Sequence, residues 1–173
     1  MNKETILIII VVIAVLYFVF FKNKKIEPDE ELAKPILKLI ASIKNRYDKF
    51  VSEGSNNYKI EKQIIFGIIY VESGGHPGAI GGVGEIGLMQ IRQGALTDSN
   101  KYTGNKFTLK ELTDPRKNIL VGTGYLAWLY YTQTKKDLKK TIQSYNAGWG
   151  TVQKNPNASI TYYNKVMLYA KYF

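Results

Sequence analysis

The chain has no cysteine and a single histidine, His76. The first absence excludes a disulfide framework, a thiolate nucleophile, a zinc-thiolate or iron–sulfur site and a lipidated cysteine. The second argues against a Ser-His-Asp triad and rules out a His-rich metal site. Acid is scarce relative to base: 24 Lys and Arg stand against 14 Asp and Glu, a formal charge of +10, so an anionic partner is expected. Arginine is scarce too, limited to Arg46, Arg92 and Arg116. With scattered lysines and no helix-turn-helix, ribonucleoprotein motif or Arg-rich arm, nucleic acid is not the expected partner; anionic membranes and wall polymers fit the charge. Alternation of period two long enough for a sheet is missing, as is any internal repeat. No metal or organic cofactor is implied, and the chemistry is expected to run on carboxylates.

Residues 5–21 are uncharged and apolar except at Thr5 and Tyr17. As a helix the run would be about 26 Å long, enough to cross a hydrocarbon core. Phe18, Val19, Phe20 and Phe21 are too bulky for a small-residue cleavage site, so the expectation is one uncleaved transmembrane anchor in the lipid bilayer. Lys22, Lys24 and Lys25 mark its water-facing end. The expected organisation is an anchor with basic flank at 1–25, a tether and leading helix at 26–58, and a mainly α-helical domain at 59–173.

Beyond the tether, Asp29 reads as an N-cap, and Leu32, Ile36, Leu39, Ile40, Ile43, Tyr47 and Phe50 recur at helical spacing to about Glu53. Residues 54–57 read as a loop. A second helix, Lys59 to Val71, is apolar nearly all round and is expected to be central. Between Gly74 and Gly87, seven of fourteen residues are glycine, which no helix survives; a loop or small hairpin is expected. Helical patterns return at Leu88 to Gln93 and Leu109 to Leu112. A long helix follows from Pro115, capped by Asp114, to about Thr132, then one from Asp137 to Tyr145 stopped by Asn146-Ala147-Gly148, and a closing helix through Ile160, Tyr163, Val166, Met167 and Ala170.

Glu72 stands out because it extends the stripe Ile65, Ile68, Ile69 of the most apolar helix. A carboxyl group there is costly unless it is paired, functional or able to reach water. Capping a neighbouring helix or meeting a lysine would suffice structurally; alternatively, desolvation raises its pKa and suits it to general acid work. Glu85 reads as a loop residue bonding backbone amides or as a second catalytic carboxylate. Asp98 is expected in a polar loop, and His76 reads as an exposed loop residue. Gly82 to Gly87 matches G-x-G-x-x-G, but it follows a helix and another glycine loop rather than a buried strand, so a dinucleotide site is not expected.

Glu72-Ser73-Gly74-Gly75, Gly87-Leu88-Met89-Gln90-Ile91, Asn118-Ile119 with Gly122 and Tyr125-Leu126, and Tyr145-Asn146-Ala147-Gly148 together resemble the ordered motifs of the soluble lytic transglycosylase (SLT) domain, a lysozyme-like, goose-type fold. The resemblance covers roughly Lys59 to Phe173. It implies cleavage of peptidoglycan glycan strands between N-acetylmuramic acid and N-acetylglucosamine with formation of a 1,6-anhydro ring. It further implies Glu72 as the single catalytic acid and base, Ser73 positioning the cleft wall, and Gly87, Leu88, Met89 and Gln90 lining the saccharide groove. Tyr145 would hydrogen-bond near the carboxyl and Asn146 would support it. The chain departs from the family pattern at Ala79-Ile80-Gly81-Gly82, where a serine is usual, and at Arg92-Gln93, where Thr-Pro often follows. A hydrolytic muramidase using Glu85 or Asp98 and a non-catalytic wall-binding membrane protein are the alternatives. The catalytic domain is expected to face the cell wall, or to sit in a virion membrane if the chain is virus-encoded, although three lysines after the span favour the cytoplasmic side.

Overall fold

The computed structural model describes residues 30–173. The expected anchor at 5–21 and its basic flank lie outside them, and among the described residues no helix is long and apolar enough to cross a membrane. The elements are α1 (Glu30–Tyr58), α2 (Lys62–Ser73), α3 (Gln93–Thr103), a 3-10 turn (Leu109–Glu111), α4 (Pro115–Trp128), a π turn (Leu129–Gln133), α5 (Leu138–Ala147), α6 (Trp149–Lys154) and α7 (Ile160–Ala170). The expected mainly helical class is observed, and among the described residues there is no strand. The glycine-rich segment forms two isolated antiparallel bridges, Ile80 with Ile86 and Ile86 with Ile91.

Helix α2 is the centre. Ile65, Ile68 and Ile69 are fully buried and Phe66 nearly so, because the helix is apolar on every side and meets neighbours on every side. Against it lies α7, and Gly67 is where the two helices come closest: a Cβ there would stand 2.8 Å from the Val166 carbonyl oxygen. Phe66 stacks on Phe173, ring centroids 4.7 Å apart. Asp114 caps α4 as expected, and Asp137, read as the start of its helix, caps α5; they accept from the Lys117 and Lys140 backbone N–H groups.

The structure differs from the sequence expectation in several places. Residues 54–57 continue α1 instead of forming a loop. Gly54 is buried against Thr123 of α4, so the missing side chain serves a close helix crossing and not a break. Leu88 to Gln93 is not helical: Ile86 and Ile91 exchange both backbone hydrogen bonds across a turn in which Gln90 has φ +47°. The helix begins only at Gln93, so Asp98 lies on α3 and not in a polar loop. The long helix ends at Trp128 and finishes as the π turn, and the short α6 was not anticipated.

Candidate active site

Glu72 is the penultimate residue of α2, where the helix stops because Gly74 turns left-handed (φ +58°) and returns its N–H to the Tyr70 carbonyl. The aliphatic stripe carries the carboxyl group, half-buried, to the wall of a cleft of about 330 Å³. Tyr162 of α7 donates its phenolic O–H to Glu72 Oε1 at 2.6 Å. Burial pushes the Glu72 pKa up, against the opposing pull of the Tyr162 hydrogen bond; the negative charge of Glu85 adds to the rise and Arg92 reduces it.

Behind Glu72 the backbone is tied down. Ser73 Oγ lies 2.8 Å from the Leu88 carbonyl oxygen, which it can donate to, and it accepts from the Gly75 N–H. Tyr47 donates to the Gly75 carbonyl at 3.0 Å. In the hairpin, the Gly87 N–H bonds the Ala79 carbonyl at 2.7 Å, and Gln90 Nε2 donates to the Ala79 and Gly87 carbonyls.

Asn118 links this loop to α4. Fully buried, it accepts from the Met89 N–H and donates to the Ile86 and Leu112 carbonyls, each at 2.8 Å. Gly87 has to be glycine on two counts: φ is +77°, and a Cβ would overlap the Asn118 amide. Gly122 likewise leaves the space that the Met89 side chain fills.

The residues singled out in the sequence therefore divide. Glu72, Gln90, Tyr145 and Asn146 line one cleft. Leu88 and Met89 are fully buried, so their side chains do not face the groove as the resemblance implied, and Ser73 and Gly87 also stand behind it. Tyr145 donates to the Met89 carbonyl at 2.9 Å, and its ring tilts onto that of Tyr125. Burial raises the Tyr145 pKa well above the ordinary tyrosine value, with the Glu72 carboxylate adding to the rise. Tyr125 also lines the cleft, its pKa pushed up to about 12 mainly by burial. Asn146 is exposed, and its Oδ1 accepts from Ser159. His76 is exposed on its loop.

Two more carboxylates border the cleft. Asp98 projects from α3, its pKa raised by burial and held back by Lys101. Glu85 has both oxygens occupied: Oε1 accepts from Arg92 Nε at 2.8 Å and from Arg92 Nη2, and Oε2 from the Val83 N–H at 3.1 Å. These bonds hold its carboxyl below the usual carboxylate range, its own backbone N–H contributing most. Sequence reasoning missed Tyr162. Its spacing of four residues before Val166 on α7 fits the face turned toward α2, but Tyr163, three residues before, fits it as well.

The transglycosylase SLT domain family model matches residues 49–166. The chain is similar to membrane-bound lytic murein transglycosylase E of Buchnera aphidicola, 37% identical over 94 residues, 51% of this chain and 42% of that protein. It is also similar to membrane-bound lytic murein transglycosylase C of Actinobacillus succinogenes, 32% identical over 135 residues, 70% of this chain and 37% of that protein. Among solved structures, a 70 kDa soluble lytic transglycosylase of Escherichia coli superposes with a TM-score of 0.60 at 25% identity, over 75% of this chain and 23% of that one. The chain thus spans about two fifths of the length of these curated relatives.

Proposed function

Since the chain belongs to the transglycosylase SLT domain family, we propose that it is a peptidoglycan lytic transglycosylase that cuts the β-1,4 bond between N-acetylmuramic acid and N-acetylglucosamine. The observation that carries this reading is the half-buried Glu72 in the cleft, bonded to Tyr162 and inclined by burial to keep its proton. A carboxyl group whose proton is favoured by burial is suited to general acid work.

Glu72 gives its proton to the leaving glycosidic oxygen as the C1–O4 bond breaks. The N-acetyl carbonyl oxygen of the muramic residue closes on C1 from within the substrate. The Glu72 carboxylate then takes the proton of the C6 hydroxyl, whose oxygen displaces the amide oxygen at C1 and closes the 1,6-anhydro ring. One carboxyl group serves both steps, which accords with a cleft whose nearby Glu85 is occupied by other donors. Gln90 and Asn146 bind the sugars from the cleft wall, with Tyr145 fixing the loop that carries Gln90.

The proposal extends to location: residues 5–21 anchor the domain in a bilayer with the cleft on the wall side. The uncharged apolar run supports this, and the similar proteins from Buchnera and Actinobacillus are named as membrane-bound. Mass analysis of products from purified peptidoglycan tests the activity: ends lighter by one water than the hydrolytic product support it, and reducing muramic ends alone refute it. Release of the full chain from membranes by alkaline carbonate would refute the anchor.

A further inference from the structure

Of the two further carboxylates on the cleft, Glu85 is the one whose surroundings bear on which product forms. Glu85 sits on the glycine-rich hairpin with its side chain only 15% exposed, on the same cleft as Glu72. A carboxylate so placed could take a proton from water and turn the reaction to hydrolysis. In this chain it is clamped. Arg92 grips Oε1 through two nitrogens of its planar fork, and the Val83 N–H covers Oε2. Gly81 adds to the fit, since a Cβ there would overlap the Glu85 carboxylate and crowd Gln90 Oε1.

We infer that Arg92 is a positioning residue that decides the product, by holding the Glu85 carboxylate away from water and leaving C1 to the C6 hydroxyl. The inference rests on the transglycosylase reading. In both routes Glu72 protonates the leaving oxygen and the amide oxygen holds C1. In the clamped cleft the C6 hydroxyl closes on C1 and its proton returns to Glu72. With the clamp removed, a water oxygen bonds C1 and displaces the amide oxygen, one water proton passes to Glu85, and a reducing muramic end results. The lowered basicity of Glu85 in its present bonds agrees with this.

The test is the ratio of anhydro to reducing muramic ends. It is counted by mass spectrometry of borohydride-reduced digests, against an undigested control, for the wild type, Arg92→Ala, Arg92→Lys and the double variant Arg92→Ala with Glu85→Gln. Arg92→Ala should raise the reducing share by about tenfold or more, a conservative expectation beside the roughly 10²–10⁴-fold that a positioned general base contributes. Arg92→Lys, which keeps charge but loses the two-pronged grip, should fall between. Adding Glu85→Gln should restore the wild-type ratio, an outcome that mere loosening of the hairpin would not give. A wild-type ratio in a folded, cleaving Arg92→Ala protein overturns the inference, and so does an equal rise in the double variant. Should Arg92→Ala fail to fold, an unchanged ratio in Arg92→Lys overturns it instead. Reducing ends alone from the wild type would defeat the transglycosylase reading itself, a result distinct from either.

Discussion

Tyr162 donates to Glu72 at 2.6 Å across 90 residues of sequence, and the two are brought together by the packing of α7 on α2. The bond opposes burial: it favours the ionised carboxylate, whereas the apolar surroundings favour the neutral acid.

Tyr162→Phe should therefore raise the Glu72 pKa further. A general acid works in its protonated form, so the alkaline fall in kcat/KM should move to higher pH. Turnover at the optimum should drop about tenfold through loss of orientation. Tyr145→Phe removes a bond to the Met89 carbonyl instead. It should cost about 1 kcal/mol of stability and leave the alkaline limb closer to that of the wild type. Rate profiles of the two variants against pH separate the roles, and equal shifts would contradict them.

Glu72→Gln should abolish cleavage and leave the fold intact. Its effect on stability should depend on pH with a definite sign. Burial holds the folded pKa of Glu72 above the ordinary carboxylate value, so the folded state binds the extra proton and loses that stabilisation as pH rises through the folded pKa. Glutamine carries no such term. The melting temperature of the variant should gain on the wild type as pH rises through this window, which paired scans measure; a gap independent of pH would contradict it.

Asn118→Ala should be among the most damaging single changes. It removes the side-chain partner of the Met89 N–H and of the Leu112 carbonyl in a fully buried setting, and leaves the Ile86 carbonyl with the Ile91 N–H alone. The expected loss is about 3 kcal/mol or more in chemical unfolding, with activity falling alongside. A loss of only a few tenths would mean that the loop re-forms its bonds elsewhere.

Gly67→Ala should destabilise although alanine is the better helix former. Intrinsic propensity favours it by about 1 kcal/mol. The new methyl, however, meets the Val166 carbonyl oxygen at 2.8 Å and the Ala170 Cβ at 3.2 Å, and backbone cannot swing aside as a flexible side chain can. The net cost should be about 1–3 kcal/mol, with α7 displaced from α2. A neutral or raised melting temperature would show the contact to be softer than it stands here.

What the sequence made legible followed from strong local signals. The all-round apolarity of α2, the caps at Asp114 and Asp137, and the glycine run after Glu72 each fix their own element through one dominant physical cause. Glu72 was legible as a cleft residue because a carboxyl group on an aliphatic stripe contradicts its neighbours. Elements set by tertiary contact were not. Gly54 looks like a helix stop until Thr123 is seen against it, and α3 hides because it buries little beyond Leu96 and Ser99. Leu88 and Met89 read as groove residues because the motif is contiguous, yet a turn with Gln90 at positive φ points neighbouring side chains to opposite destinations. Tyr162 could not be distinguished from Tyr163 without the helix face that α2 selects.

The position of Glu72 one residue from the end of α2 has a consequence for the order of events. The last turn of a helix gathers unpaired carbonyls, equivalent to roughly half a negative charge. A carboxylate formed there is repelled by its own backbone as well as starved of water. Giving up the proton thus leaves the site electrically loaded, and taking one back unloads it. On the proposed mechanism, the helix that delivers the acid to the glycosidic bond would also bias the spent acid toward the nearest proton within the same sugar, that of the C6 hydroxyl, whose removal closes the ring.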